Sequence, residues 1–145
     1  MRAVVQRVSE ASVTVGGEVI GRIGPGLCVL VGVTHDDTPA AADRMAGRLW
    51  NLRIFPDDDD RINCSAAELG LPVLVVSQFS LYADTSRGRR PSFVAAARPE
   101  QAEPLIDRLV AGLRQLGAEV ATGRFRADMA VALVNDGPLT VTVDT

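Results

Sequence analysis

Lysine is absent from this sequence: all 15 basic residues are arginine. That excludes Schiff-base catalysis, a lysine-bearing phosphate loop and a Ser/Lys dyad. Histidine is nearly absent too. The single one, His35, follows the apolar run Leu27–Val33 and precedes Asp36-Asp37, where a solvated loop at a strand end is expected. A Ser-His-Asp triad or a histidine-based metal site would have to be built on that one side chain. The two cysteines, Cys28 and Cys64, lack metal-type spacing. Cys28 falls in an apolar strand and Cys64 in a loop-like stretch, and no disulfide is expected between them. The acidic run Asp57–Asp60 has neither the alternating ligands nor the glycine turn and distal Glu of a calcium loop, so it reads as a solvated turn. No metal and no cofactor is expected.

Long apolar runs are missing as well. Leu27–Val33 and Leu71–Val76 are the longest, at seven and six residues, where a membrane-spanning helix needs ~20. Arg7 follows Arg2 before any signal-peptide core can form. With 145 residues, 47% of them hydrophobic, the chain has the length and core material of one domain. A cytoplasmic single domain over residues 1–145, with no membrane segment, is the expectation. Backbone groups, hydroxyls, arginines, carboxylates and the substrate itself are what remain for chemistry.

The first third reads as strands. Ala3–Val8 and Ala11–Val15 are rich in β-branched residues, Gly16-Gly17 signals a tight turn, and Glu18–Ile23 returns as the hairpin partner. Gly24-Pro25-Gly26 turns into Leu27–Val33, suited to a central strand. Thr38-Pro39 resembles a helix N-cap followed by proline at the first position, and Met45, Leu49 and Leu52 recur at helical spacing up to Phe55-Pro56. Leu71–Val76 is the next strand. A second helix starts at Pro99, presents Leu105, Leu109, Leu113 and Leu116, and stops at Gly117. Glu119–Thr122, Met129–Val134 and Leu139–Val143 complete the strands, the last two joined by a turn at Asn135-Asp136-Gly137-Pro138. The pattern predicts an α+β domain, a mostly antiparallel sheet or open barrel with two packed helices.

Three segments could carry chemistry. Ser77-Gln78-Phe79-Ser80-Leu81 places polar groups abruptly at the end of an apolar strand, where backbone N–H groups leave the ladder; turn-forming serines at a strand end are the plainer reading. Asn135–Pro138 offers side chains that pin a turn. Thr85–Phe93 carries Arg87, Arg89 and Arg90 in a chain of net charge −3, which fits either a local phosphate contact or a solvated loop.

Together these segments resemble a known family. The order Gln6-Arg7-Val8, Ala11–Val15, Ser77–Leu81, Arg87-Gly88, Arg90–Phe93, Ala127-Asp128-Met129 and Asn135–Pro138 is similar to that of the D-aminoacyl-tRNA deacylases, over essentially the whole chain. One departure is Ser80, where the family pattern usually has Thr: a hydroxyl is kept and a methyl lost.

The resemblance implies a fold similar to the archaeal threonyl-tRNA synthetase editing domain and a homodimer. It implies hydrolysis of the ester joining a D-amino acid to the 3′-terminal adenosine of tRNA, and of glycine mischarged on alanine tRNA. Ser77, Gln78, Phe79 and Ser80 would line the pocket, Met129 would flank it, and Arg7 would hold the Gly-Pro segment. Gly137-Pro138 would be a cis motif inserted into the partner's site, excluding L-amino acids. Arg87, Arg89 and Arg90 would meet tRNA. Ser80 as pocket wall and Ser80 as covalent nucleophile both stay open, and a nucleic-acid-binding module without turnover is the competing class.

Overall fold

The computed structural model describes residues 1–145. In chain order, β1 (Arg2–Val15), β2 (Glu18–Ile23) and β3 (Gly26–Gly32) lead to α1 (Pro39–Trp50). A hairpin of β4 (Arg53–Pro56) and β5 (Ile62–Ser65), the short α2 (Ala66–Leu69), β6 (Val73–Ser77) and a single 3₁₀ turn at Phe79–Tyr82 follow. The long α3 (Pro99–Gln115), β7 (Val120–Thr122) and β8 (Ala130–Asp144) complete the chain.

The main sheet runs β2-β1-β3-β6-β7, with β8 also paired to β1. Pairings of β1 with β2, β3 and β8 are antiparallel, whereas β6 is parallel to both β3 and β7. The mixed, mostly antiparallel sheet agrees with the expected fold class. It curls until β2 meets β7: a Cβ on Gly21 would lie 2.6 Å from the Thr122 carbonyl oxygen.

Period-2 alternation sorts the side chains of the central strands between two cores. Leu27, Val29 and Val31 of β3, with Val73 and Val75 of β6, face Met45 and Leu49 of α1 and Leu109 and Leu113 of α3. The intervening Cys28, Leu74 and Val76 face into the curl with Val8, Val13 and Ile23. Each fully buried Leu or Met contributes about 1.5–3 kcal/mol. Burial pushes the Cys28 thiol up to about 11, so it is protonated and inert at neutral pH.

Helix ends follow their local chemistry. Thr38 caps α1, its hydroxyl accepting from Ala41 N at 3.4 Å, with Pro39 in the first turn. The two helices are joined across their exposed flank by Arg108 gripping both oxygens of Asp43 at 2.8 and 2.7 Å.

Several expectations are corrected. The first helix stops at Trp50, because Asn51 returns its side-chain amide to the Gly47 carbonyl at 2.9 Å; residues 53–56 are a strand. Cys64 lies in that strand's partner β5, not in a loop. The acidic run is the tip of this hairpin, and Asp57 is more than solvated: it accepts from Asp59 N, Arg61 N and Asn63 Nδ2. Helix α2 was not foreseen, although Ser65 and Glu68 form a capping box. Leu116 caps α3 and is half exposed, so it is outside the core. Finally, 2–15 and 130–144 are each one long strand rather than two. The Asn135–Pro138 segment is not a hairpin turn. It loops out of β8 while β8 stays paired to β1 on both sides, Thr140 opposite Gln6 and Asn135 opposite Val8.

Closure of the curl depends on the missing side chain at position 21. Gly21→Ala should lower stability by about 1–3 kcal/mol, read as a lower urea midpoint with unchanged slope. An unchanged midpoint would mean that β2 and β7 do not touch in solution.

Candidate active site

The parallel ladder of β6 ends at Ser77. One further bond, Gln78 N–H to Val31 O at 2.8 Å, carries the pairing with β3 past the strand. The chain then tightens into the 3₁₀ turn. Gly32 permits this, since a Cβ there would stand 3.1 Å from Gln78 O, Leu81 Cβ and Tyr82 Cδ2 alike. Phe79 and Ser80 open that turn, so the turn itself offers their N–H groups no acceptor.

Beside this strand end lies a cavity of about 560 Å³. Ser77, Gln78 and Phe79 form one wall, Phe93, Ala96 and Ala97 a second, and Phe125, Arg126, Ala127 and Met129 a third. The second wall is stitched to the end of β3: Ala97 N donates to Val33 O at 2.9 Å, and Thr34 Oγ1 donates to Ala95 O at 2.6 Å. His35 belongs to this seam, its Nε2 2.7 Å from Val94 O. The third wall is fixed through sulfur. Met129 Sδ would touch a Cβ on Gly123 at 2.6 Å and accepts from Arg124 N at 3.4 Å. Phe79 and Phe93 meet edge to face, centroids 5.0 Å apart, yet remain 57% and 42% exposed. Exposed aromatic faces at a cavity mouth suit a planar ring.

The site residues expected from sequence fall into three places. Ser77, Gln78, Phe79 and Met129 share the cavity. Ser80 does not line it: the turn carries its side chain behind the wall, where its hydroxyl oxygen accepts from Gln78 Nε2 at 2.5 Å.

Arg7, Gly137 and Pro138 form a second group on β1 and β8. The Gly137-Pro138 peptide is cis. Arg7 spans this corner, its Nε donating to Asp136 O at 3.2 Å and its Nη1 to Ile54 O at 2.8 Å. A Cβ on Gly137 would stand 2.7 Å from Arg7 Nη2. Asn135 pins the other side, its amide donating to Arg7 O and Leu139 O, both at 2.9 Å. The corner is not part of its own chain's cavity.

Arg87, Arg89 and Arg90 make the third group. Their loop is exposed and closed at its base by the Asp84–Ser92 bridge, with bonds of 2.8 and 2.9 Å. Asp84 also accepts from Ser86 N at 2.9 Å, and Ser86 holds its carboxyl below the usual range. None of the three arginines joins an ion pair.

Sequence reasoning passed over Phe125, Arg126 and Ala96 as wall residues. Phe125 had one available signal, an aromatic between two arginines in a chain with only 4% aromatics.

The D-Tyr-tRNA(Tyr) deacylase family model matches residues 4–144. The chain belongs to that family. The D-aminoacyl-tRNA deacylase of Symbiobacterium thermophilum is 59% identical over 145 residues, covering all of this chain and 96% of the relative. That of Streptomyces coelicolor is 58% identical, covering 99% of both. Among solved structures, one titled a c-Myc DNA unwinding element binding protein superposes with a TM-score of 0.95 at 39% identity, covering 100% of this chain and 99% of the other. A probable eukaryotic D-amino acid tRNA deacylase gives 0.85 at 20% identity, covering 99% and 98%, and shows the shared fold. With family membership comes the enzyme class expected from the sequence, a carboxylic ester hydrolase of the D-aminoacyl-tRNA deacylase type. No helix is long and apolar enough to cross a membrane.

Proposed function

We propose that this protein works in the cytoplasm as a homodimer, cleaving the ester between a D-amino acid, or glycine, and the 3′-terminal adenosine of tRNA. The observation that carries the reading is the chemistry of the cavity wall. It offers hydroxyl, amide and backbone donors at the end of β6 and contains no carboxylate and no histidine. An aminoacyl ester is already activated, so it needs positioning and oxyanion stabilisation more than a strong base. The N–H groups of Phe79 and Ser80 supply the donors, each worth about 2.7–4 kcal/mol to a tetrahedral oxyanion. The neighbouring 2′-hydroxyl of the terminal ribose assists in activating water.

Ser77, Gln78 and Phe79 hold the adenosine and scissile ester, Met129 flanks them, and Ser80 fixes the Gln78 amide. The Gly137-Pro138 corner, which lies outside its own chain's cavity, serves the partner's. Its backbone, held by Arg7 and Asn135, sits against the substrate α-carbon and leaves room for hydrogen but not for a side chain. Rejection of L-amino acids is then steric and independent of side-chain identity. Glycine, with hydrogen on both sides, passes. The basic loop of Arg87, Arg89 and Arg90 meets tRNA phosphates.

Hydrolysis of D-tyrosyl-, glycyl- and L-tyrosyl-tRNA by the purified protein tests this directly. The first two should be cleaved and the third spared. Equal cleavage of both enantiomers, or full stereoselectivity from a monomer, would sink the exclusion model. Binding without any turnover would favour the nucleic-acid-binding module. Ser80→Ala should retain deacylation within about tenfold, because the donors are backbone groups; a drop of ~10⁴-fold or more would instead mark Ser80 as a nucleophile. Replacing Arg87, Arg89 and Arg90 by Ala should weaken tRNA binding and flatten its dependence on salt, each lost phosphate contact removing roughly 0.7–0.9 from the logarithmic slope. An unchanged slope would show that the loop faces solvent.

A further inference from the structure

One cavity residue has no part in the ester chemistry. Arg126 is the single charged side chain among the fourteen that line the cavity, ten of which are hydrophobic. Its backbone sits at φ 61°. In that left-handed region the Cβ of an L-residue crowds the following carbonyl, and glycine is the residue that fits without cost. Arg126 holds a long cationic side chain in this conformation on the wall of the cavity. No ion pair satisfies the guanidinium. Its neighbours Phe125 and Ala127 line the same wall, so the loop after β7 presents the arginine at the cavity rather than on a remote surface.

The substrate class of the preceding reading, on which this inference rests, has two charged groups near the scissile bond. One is the α-ammonium of the amino acid; the other is the phosphate on the 5′ side of the terminal ribose. A guanidinium attracts the second and repels the first. We propose that Arg126 binds the phosphate 5′ to the terminal adenosine and thereby sets the direction in which the aminoacyl-nucleoside enters. The phosphate lies at the loop after β7, and the ester is delivered to the donors at the end of β6. Arginine suits the task because its planar fork donates to two phosphate oxygens at once and stays cationic in proteins. This contact is separate from the loop of Arg87, Arg89 and Arg90, which lies outside the cavity.

Calorimetric binding of adenosine and of adenosine 5′-monophosphate isolates the contact, because the two differ only in the phosphate. The wild-type chain should bind the monophosphate about tenfold or more tightly than the nucleoside, as expected for a charge-assisted pair. Arg126→Gln should erase that preference, and Arg126→Lys should restore part of it. Arg126→Gly should lose the preference too, yet raise Tm by about 1–3 °C as the left-handed strain is relieved. A wild-type chain indifferent to the phosphate, or a preference that survives in Arg126→Gln, overturns the assignment. Hydrolysis of D-tyrosyl-tRNA is scored separately: its failure counts against the deacylase reading, whereas the nucleotide preference alone decides the role of Arg126.

Discussion

The candidate site depends on where the parallel ladder of β6 stops. Held between β3 and β7, β6 keeps its backbone bonded up to Gln78 N on one side, and its Val75 carbonyl accepts from Gly123 N at 3.1 Å on the other. Past that point the chain must turn, and Gly32 beneath leaves just enough space for Leu81 and Tyr82 to fold back. The N–H groups of Phe79 and Ser80 are thereby left without an acceptor inside the turn. The same strand ends anchor the other walls. Val33 and Thr34, continuing β3, tie down 95–97, and Gly123, continuing β7, receives Met129. Three neighbouring strands of one sheet therefore position three walls, α1 and α3 pack against those strands, and the first turn of α3 adds Pro99 and Ala102 to the cavity lining.

How much of this was legible in the sequence can be judged strand by strand. Continuous apolar runs marked β3 and β6 because both of their faces are buried. The abrupt polar residues at Ser77–Ser80 marked where the ladder of β6 stops. Breaks in periodicity misled where strands stay continuous. In β1, Ala3 and Val5 face the helices, then Val8, Ala11 and Val13 face into the curl. The phase shifts at the irregular registers between Gln6 and Glu10, so one bent strand reads as two. In β8 the Gly-Pro pair imitates a hairpin turn, whereas pairing with β1 resumes beyond it. Short elements were lost to weak local signals: β4 hides behind the helix because Ile54 and Phe55 are adjacent and both buried, leaving no alternation to detect. Ser80 shows the limit for side chains. The resemblance implied a wall shared with Ser77 and Gln78, but a 3₁₀ turn advances about 120° per residue and turns the Ser80 hydroxyl to the Gln78 amide instead.

A second dependency runs through Arg7. It is 12% exposed and bonds both to the segment that loops out of β8 and to Ile54 O at the start of the β4–β5 hairpin. Its ion pair with Asp136, at 3.3 Å, reaches a carboxylate that is 59% exposed, so solvent screening leaves it a small share of the energy. The carbonyl contacts matter more, since they satisfy a nearly buried guanidinium while fixing backbone positions on two elements. With Asn135 gripping Arg7 O and Leu139 O, the loop is tied at both ends. A segment built in this way is a stiff object on the surface, and in the proposed dimer that stiffness is what lets a wall exclude a side chain instead of yielding to it.

Charge placement argues in the same direction. The chain carries a net −3, so at distances beyond the ~8 Å screening length it does not attract a polyanion. Attraction has to come from local clusters: Arg87, Arg89 and Arg90 share one exposed loop, and Arg124 and Arg126 flank Phe125, with Arg126 on the cavity wall. The run Asp57–Asp60 occupies the β4–β5 tip, a different part of the chain. A distribution of this kind disfavours sliding along a duplex and favours docking of one nucleic-acid end. In the proposed reading, docking at the acceptor terminus then needs no base-specific contact.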